Sequence, residues 1–268
     1  MPQIIATIKL LTFLAVAIVL AFLQCFVLLL TGNRFTHTLP RILCRSVCAI
    51  FGIKIHVKGA TPPTYNCFFA GNHISYLDIM VLGATIKGSF VAKSEVAGWP
   101  LFGQLAVLQK SIFIKRSKQG TRDGSTQIQN RLNQGDNLII FPEGTSTNGQ
   151  QILPFKSSFF EPLLHVDTSV TIQPFTIELS HINGTKPKTQ ADYDHYAWYA
   201  DMTLAPHLWN VAKLKSLGVT ITFHAAIKPK DYTNRKDLMK KCEEAVAFPF
   251  KKNYDPDNLI TQTDENKK

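Results

Sequence analysis

Residues 10–30 contain no charged side chain, and Thr12 and Gln24 are the only clearly polar members of the run. As a helix rising about 1.5 Å per residue, such a run reaches about 31 Å, the thickness of a bilayer's hydrocarbon core. A cleaved signal peptide is the rival reading. Its apolar region is normally about 7–15 residues and ends in small residues, whereas this run ends Leu28-Leu29-Leu30-Thr31-Gly32. A retained membrane helix is therefore expected. Lys9 precedes the run and Arg34, Arg41 and Arg45 follow it, so the positive-inside rule places the rest of the chain on the cytoplasmic face. The five cysteines, Cys25, Cys44, Cys48, Cys67 and Cys242, are odd in number and widely scattered. They read as reduced thiols, which agrees with a cytoplasmic domain and disfavours a disulfide framework.

After the span, Leu39, Leu43, Val47 and Ile50 fall at helical spacing with Arg41 and Arg45 on another face. This amphipathic helix reads equally well as lying in the membrane interface or as packing on the following domain. The chain thus divides into a membrane-anchoring part (1–51), a large domain (52–254) and a polar tail (255–268). With 45% hydrophobic residues there is ample material for a core. The net charge of +10 and pI near 9.4 favour an anionic partner. Because the basic residues are spread rather than interleaved with stacking aromatics, nucleic acid is disfavoured. Cys44 and Cys48 stand four apart, but no His or further Cys close in sequence completes a metal site.

Short apolar runs alternate with helical stretches through the large domain. Residues 52–59 alternate as a half-exposed strand. Cys67-Phe68-Phe69-Ala70 reads as a buried strand, and Phe90-Val91-Ala92, Ser111-Ile112-Phe113-Ile114, Leu138-Ile139-Ile140-Phe141, 170–175 and 219–223 read as further short strands. A turn at Gly98-Trp99-Pro100 leads to an apolar segment at 101–108, and a polar loop at 115–125 precedes a helix over 126–133. This alternation implies an α/β domain with ligands gathered at strand ends. No Gly-x-Gly-x-x-Gly or Walker pattern is present, which disfavours nucleotide binding of those types. The aromatic-rich stretch 196–211 reads as core more readily than as a second interfacial surface.

Directly after the strand at 67–70 stands Gly71-Asn72-His73-Ile74-Ser75-Tyr76-Leu77-Asp78. A carboxylate that holds one imidazole nitrogen fixes the tautomer and frees the other nitrogen as a general base. A second reading competes: Ser75-x-x-Asp78 before Ile79-Met80-Val81-Leu82 is a capping box. A five-residue step rotates about 500° on a helix, so His73 meets Asp78 only from the turn before it. If Asp78 serves both His73 and the cap, its two oxygens are expected to divide the work. Ser75 lacks the Gly-x-Ser-x-Gly elbow of a serine hydrolase and reads as a cap.

Three further stretches follow in order: Lys93-x-Glu95-Val96 with Trp99-Pro100, Gly103 and Phe113-Ile114-Lys115-Arg116; Phe141-Pro142-Glu143-Gly144-Thr145; and the strand carrying Pro174. With the His-x4-Asp motif they resemble the glycerolipid acyltransferase family typified by 1-acyl-sn-glycerol-3-phosphate acyltransferase, over residues 72–175. The resemblance implies a central mixed sheet flanked by helices, preceded by the membrane helix and amphipathic helix. It also implies acyl transfer to a lysolipid hydroxyl, with His73 as base and Asp78 as its orienting partner. Arg116, Glu143, Gly144 and Thr145 would bind the acceptor, and Lys156 is a further candidate for holding an anion. No metal or cofactor is implied; acyl-CoA or acyl carrier protein is the co-substrate, and a bilayer the setting.

The acceptor expected first is 1-acyl-sn-glycerol-3-phosphate, giving phosphatidic acid for phospholipid biosynthesis. Many lysophosphatidate acyltransferases continue Glu-Gly-Thr with Arg, whereas this chain has Ser146. One cation fewer, and the likeness of Ala92-Lys93-Ser94-Glu95 and Thr145-Ser146-Thr147-Asn148-Gly149 to bacterial enzymes that acylate lyso-ornithine lipid, make that lipid the alternative acceptor. A lipid hydrolase and a non-catalytic lipid-binding membrane protein are the more distant alternatives.

Overall fold

The computed structural model describes residues 1–31, 38–99, 103, 106–107, 109–167 and 169–250. The expected segment at 101–108 and the polar tail fall largely or wholly outside these residues. In chain order the main elements are α1 (Pro2–Thr31), α2 (Thr38–Phe51), β1 (Ile53–Gly59), β2 (Cys67–Gly71), α3 (Leu77–Thr85), β3 (Ser89–Lys93), β4 (Ile112–Ile114), α4 (Lys118–Asn133) and β5 (Leu138–Ile140). They continue with β6 (Thr171–Ile182), α5 (Gln190–Tyr193), α6 (Leu204–Lys213), β7 (Leu217–Phe223) and α7 (Arg235–Ala247).

The seven strands form one mixed sheet in the order β1-β7-β6-β2-β5-β3-β4. Only the β6–β7 pair is antiparallel; β2, β5, β3 and β4 run parallel to one another, and β2 parallel to β6. Alternate side chains of the central strands enter two cores, one on each face. From β2, Phe69 joins α1, α2, α3 and α6 on one face, while Phe68 and Ala70 join Ile128 and Leu132 of α4 and Leu238, Cys242 and Val246 of α7 on the other. Burial on both faces explains why β2 and β5 read as unbroken apolar runs. The helix expected over 126–133 starts earlier, at Lys118, because Ser117 accepts the Gly120 N–H as an N-cap. Its polar first half lacks the apolar spacing that would have announced it.

Helix α1 is the one described helix long and apolar enough to cross a membrane. It packs antiparallel to α2: the Phe13 and Phe51 rings meet at 6.1 Å, while Leu20 and Gln24 face Leu39, Pro40 and Leu43. Ala6, Phe13, Ala17 and Gln24 are buried, whereas Ile8, Leu11, Phe22 and Phe26 on the opposite side are exposed. Lys9, which in sequence precedes the apolar run, donates to the Phe51 and Leu214 carbonyls of the domain. It therefore lies on the same side of α1 as the domain it was expected to be separated from. Helix α2 packs on the domain: Arg41 donates to the Ala84 and Thr85 carbonyls and Arg45 to that of Ala84. Two cations thus close the free carbonyls at the C-terminus of α3, where the helix dipole favours positive charge.

Candidate active site

The sheet order brings the separate motifs together. Strands β2, β5, β3 and β4 are neighbours and parallel, so His73, the 141–147 turn, Lys93 and Arg116 all leave the same carboxyl-terminal edge. Ligands of α/β sheets gather at this edge. At the end of β2, Gly71 lies against β6 so tightly that a Cβ there would stand 2.3 Å from the Phe175 carbonyl oxygen. This approach lets the Asn72 amide exchange two hydrogen bonds with the Ile177 backbone, accepting from N–H at 2.7 Å and donating to the carbonyl at 2.9 Å. The turn carrying His73 therefore starts from a fixed point.

His73 Nδ1 stands 2.8 Å from Asp78 Oδ2. The same Oδ2 accepts the backbone N–H groups of Ile74 at 2.7 Å and Ser75 at 2.9 Å. The expected division of labour between the two oxygens does not occur: one oxygen serves both the cap and the imidazole, and Oδ1 accepts the Tyr196 hydroxyl at 2.7 Å. The capping box is half formed, since Ser75 Oγ accepts the Leu77 N–H while the Asp78 N–H goes to the Ser75 carbonyl. Asp78 is fully buried and accepts from every side, so Nδ1 carries the proton and Nε2 presents a lone pair. Among the described residues nothing hydrogen-bonds Nε2. The ring itself stacks on Phe141, centroids 4.0 Å apart and planes within 10°. The 19% exposure of the His73 side chain leaves the ring open on one side.

Glu143, expected to contact the acceptor, is buried, and both its oxygens are engaged, accepting the N–H groups of His73 and Leu153 at 2.7 Å each. It acts as a brace between the turn after β5 and the backbone of His73. Burial pushes its carboxyl well above the usual carboxylate range; the two N–H bonds pull it back, and the Asp78 and Glu243 charges push it further. The Thr147 N–H donates to the His73 carbonyl, tying the two turns again. Gly144 adopts φ +74°, which favours glycine in this turn, and a Cβ there would stand 2.4 Å from Lys156 Nζ and push the lysine aside. Thr145 is exposed beside them, and the Ser146 hydroxyl is turned away to the Trp198 carbonyl.

Arg116 is largely exposed and pairs with Glu95 at 3.5 Å. Lys93, to which the sequence motif assigns no role, lies between the candidates: burial lowers its pKa first, then the nearby charges of Arg116 and Lys156, while Glu95 raises it. Three cations and one carboxylate thus share a site beside the Glu143-Gly144-Thr145 turn. Tyr196, which is 118 residues from Asp78, has no signal in the sequence either; nothing in an aromatic-rich stretch marks which phenol meets a carboxylate.

The Acyltransferase family model matches residues 52–178. The lyso-ornithine lipid O-acyltransferase of Rhodobacter capsulatus is 35% identical over 80% of this chain and 77% of its own length. The protein of the same description from Brucella abortus is 33% identical over 80% and 82%. The 1-acyl-sn-glycerol-3-phosphate acyltransferase of Neisseria meningitidis is 28% identical over 76% and 77%. The crystal structure of the 1-acyl-sn-glycerophosphate (LPA) acyltransferase PlsC from Thermotoga maritima superposes with a TM-score of 0.67 at 21% identity, covering 94% of this chain and 97% of that one, and shares its fold. By sequence and by these relatives, the chain belongs to the acyltransferase family that acylates lysolipids.

Proposed function

We propose that this enzyme transfers a fatty acyl group from an acyl-CoA or acyl carrier protein thioester to the hydroxyl of lyso-ornithine lipid, with 1-acyl-sn-glycerol-3-phosphate as the second candidate. The order of acceptors reverses the one expected from sequence. Two observations support the reversal. The Rhodobacter capsulatus and Brucella abortus relatives, at 35% and 33% identity, are named for lyso-ornithine lipid, and position 146, where many lysophosphatidate acyltransferases carry arginine, holds a serine whose hydroxyl bonds the Trp198 carbonyl and supplies no cation. A cation group that includes Glu95 also suits a headgroup carrying both a carboxylate and an ammonium.

The observation that carries the chemistry is the buried Asp78 carboxylate on His73 Nδ1, with Nε2 unbonded at the strand edge. Nε2 takes the acceptor's hydroxyl proton as its oxygen attacks the thioester carbonyl. The C–S bond breaks, and the departing thiolate recovers the proton from the imidazolium. Base assistance of this kind is worth about 10² to 10⁴ in rate. Arg116, Lys93 and Lys156 hold the headgroup, Gly144 and Thr145 shape its site, and Glu143 holds the His73 backbone. The exposed face of α1 enters the bilayer from the cytoplasmic side, consistent with five free cysteines.

The test offers purified enzyme both lysolipids with labelled acyl-CoA and acyl carrier protein, with His73→Ala as the control. Label entering the ornithine lipid at higher kcat/KM supports the assignment. Label appearing only as free fatty acid would establish a hydrolase, and substantial transfer by His73→Ala would remove the base assignment.

A further inference from the structure

Residues 189–199 lie beyond the region matched by the family model, yet they close over both motif turns. The Trp198 N–H donates to the Ile74 carbonyl at 2.9 Å, and the Trp198 carbonyl accepts the Ser146 hydroxyl. Between these ties Tyr196 points inward and is fully buried, its hydroxyl 2.7 Å from Asp78 Oδ1. We propose that Tyr196 is a positioning residue for acyl transfer, its hydroxyl holding the Asp78 carboxylate so that Oδ2 faces His73 Nδ1. The inference rests on His73 being the base.

The two oxygens of a carboxylate turn together about the Cβ–Cγ bond, so donors on both restrain that rotation more firmly than donors on one alone. The donors on Oδ2 fix one end, and among the described residues Tyr196 supplies the hydrogen bond to the other. The phenol must donate, because Oδ1 belongs to a carboxylate with no proton to give. Burial, with the neighbouring Asp78 charge, keeps that proton on the phenol by raising its pKa well above the ordinary value. The ionisable groups facing this network are His73 and Asp78, Glu143 from the turn after β5 with Glu243 of α7 behind it, Tyr76 at the start of α3, and Cys48 of α2. A buried tyrosine needs a hydrogen-bond partner in any core, so the test must separate aim from stability.

Removing the donor leaves a carboxylate that stabilises the protonated imidazole more strongly but is less well aimed. In Tyr196→Phe, kcat near neutral pH is expected to fall about tenfold, with acceptor KM unchanged and the acid limb of the kcat–pH profile moved to higher pH. Replacing Tyr196 by 3-fluorotyrosine, which keeps the shape and strengthens the donor, moves that limb to lower pH. Tyr199→Phe, which removes a hydroxyl bonded instead to Asp194, leaves both unchanged. A folded Tyr196→Phe with wild-type kcat and acid limb overturns the proposal, as does lost activity with an unmoved limb. If Tyr196→Phe does not fold, an unmoved limb in the fluorotyrosine protein overturns it. His73→Gln separates the two readings: if it stays active, the base assignment fails; if it is inactive while the tyrosine variants behave as wild type, only the Tyr196 role fails.

Discussion

Replacing Asp78 by Asn tests how much of the catalysis is charge and how much is geometry. The amide keeps the shape, and its oxygen can take the Oδ2 position, where the Ile74 and Ser75 N–H groups hold it. The Tyr196 hydroxyl then rotates to accept from the amide NH₂, and the His73 tautomer is retained because the amide oxygen still faces Nδ1; the phenol proton gives up its acceptor, a cost that falls on stability. What is lost is the negative charge 2.8 Å from Nδ1. At an effective dielectric of about 20, that charge interacts with a developing imidazolium by about 6 kcal/mol. The amide dipole recovers roughly half, leaving about 3–4 kcal/mol of lost transition-state stabilisation, or a fall in kcat of about 10² to 10³. Single-turnover acyl transfer, read by labelled product, measures it; acceptor KM should be unchanged, since Asp78 touches no substrate. A folded Asp78→Asn within tenfold of wild type would refute the reasoning, because it would mean that the imidazole needs no anionic partner. A large rise in acceptor KM would equally refute it, by placing Asp78 in binding.

Arg116→Ala should raise acceptor KM with little change in donor KM; its exposed pairing with Glu95 predicts a stability change within about 0.5 kcal/mol, checked by thermal melting. Gly144→Ala forces a Cβ onto Lys156 Nζ at φ +74°, costing about 1–2 kcal/mol in backbone strain and displacing the lysine. Its acceptor KM should rise while the pH dependence of kcat stays put. For Glu143 the folded carboxyl lies above its unfolded value of about 4.3, so the folded state binds the proton more tightly. Its contribution to stability is present at low pH and is lost as pH rises from about 4.3 through the raised folded value. Glu143→Gln should remove that segment of the urea-measured stability profile; an unchanged profile would place the titration elsewhere.

How much of this was legible in the sequence follows from the range of the interactions. The apolar span, the amphipathic α2, the strand runs and the His73–Asp78 pairing rest on periodicity and on residues five apart, and the chain states these locally. The order of the motifs along the chain sufficed for the family resemblance. The sequence by itself therefore determined the class of chemistry and the local pairing of His73 with Asp78. Tertiary structure alone decided how the site is braced. Glu143 reads as a ligand in its motif but spends both oxygens on backbone N–H groups, one of them 70 residues away. Lys9 reads as a flank of a membrane span but closes carbonyls of the domain, and of the two readings open for the helix of Arg41 and Arg45 the structure shows packing on the domain, where both finish α3. The Tyr196 hydroxyl reaches a carboxylate 118 residues away only because β6 and the turn after it carry the chain back over the His73 loop. Local pattern fixes which groups want partners; the sheet order β2-β5-β3-β4 and the return from β6 fix which partners they find.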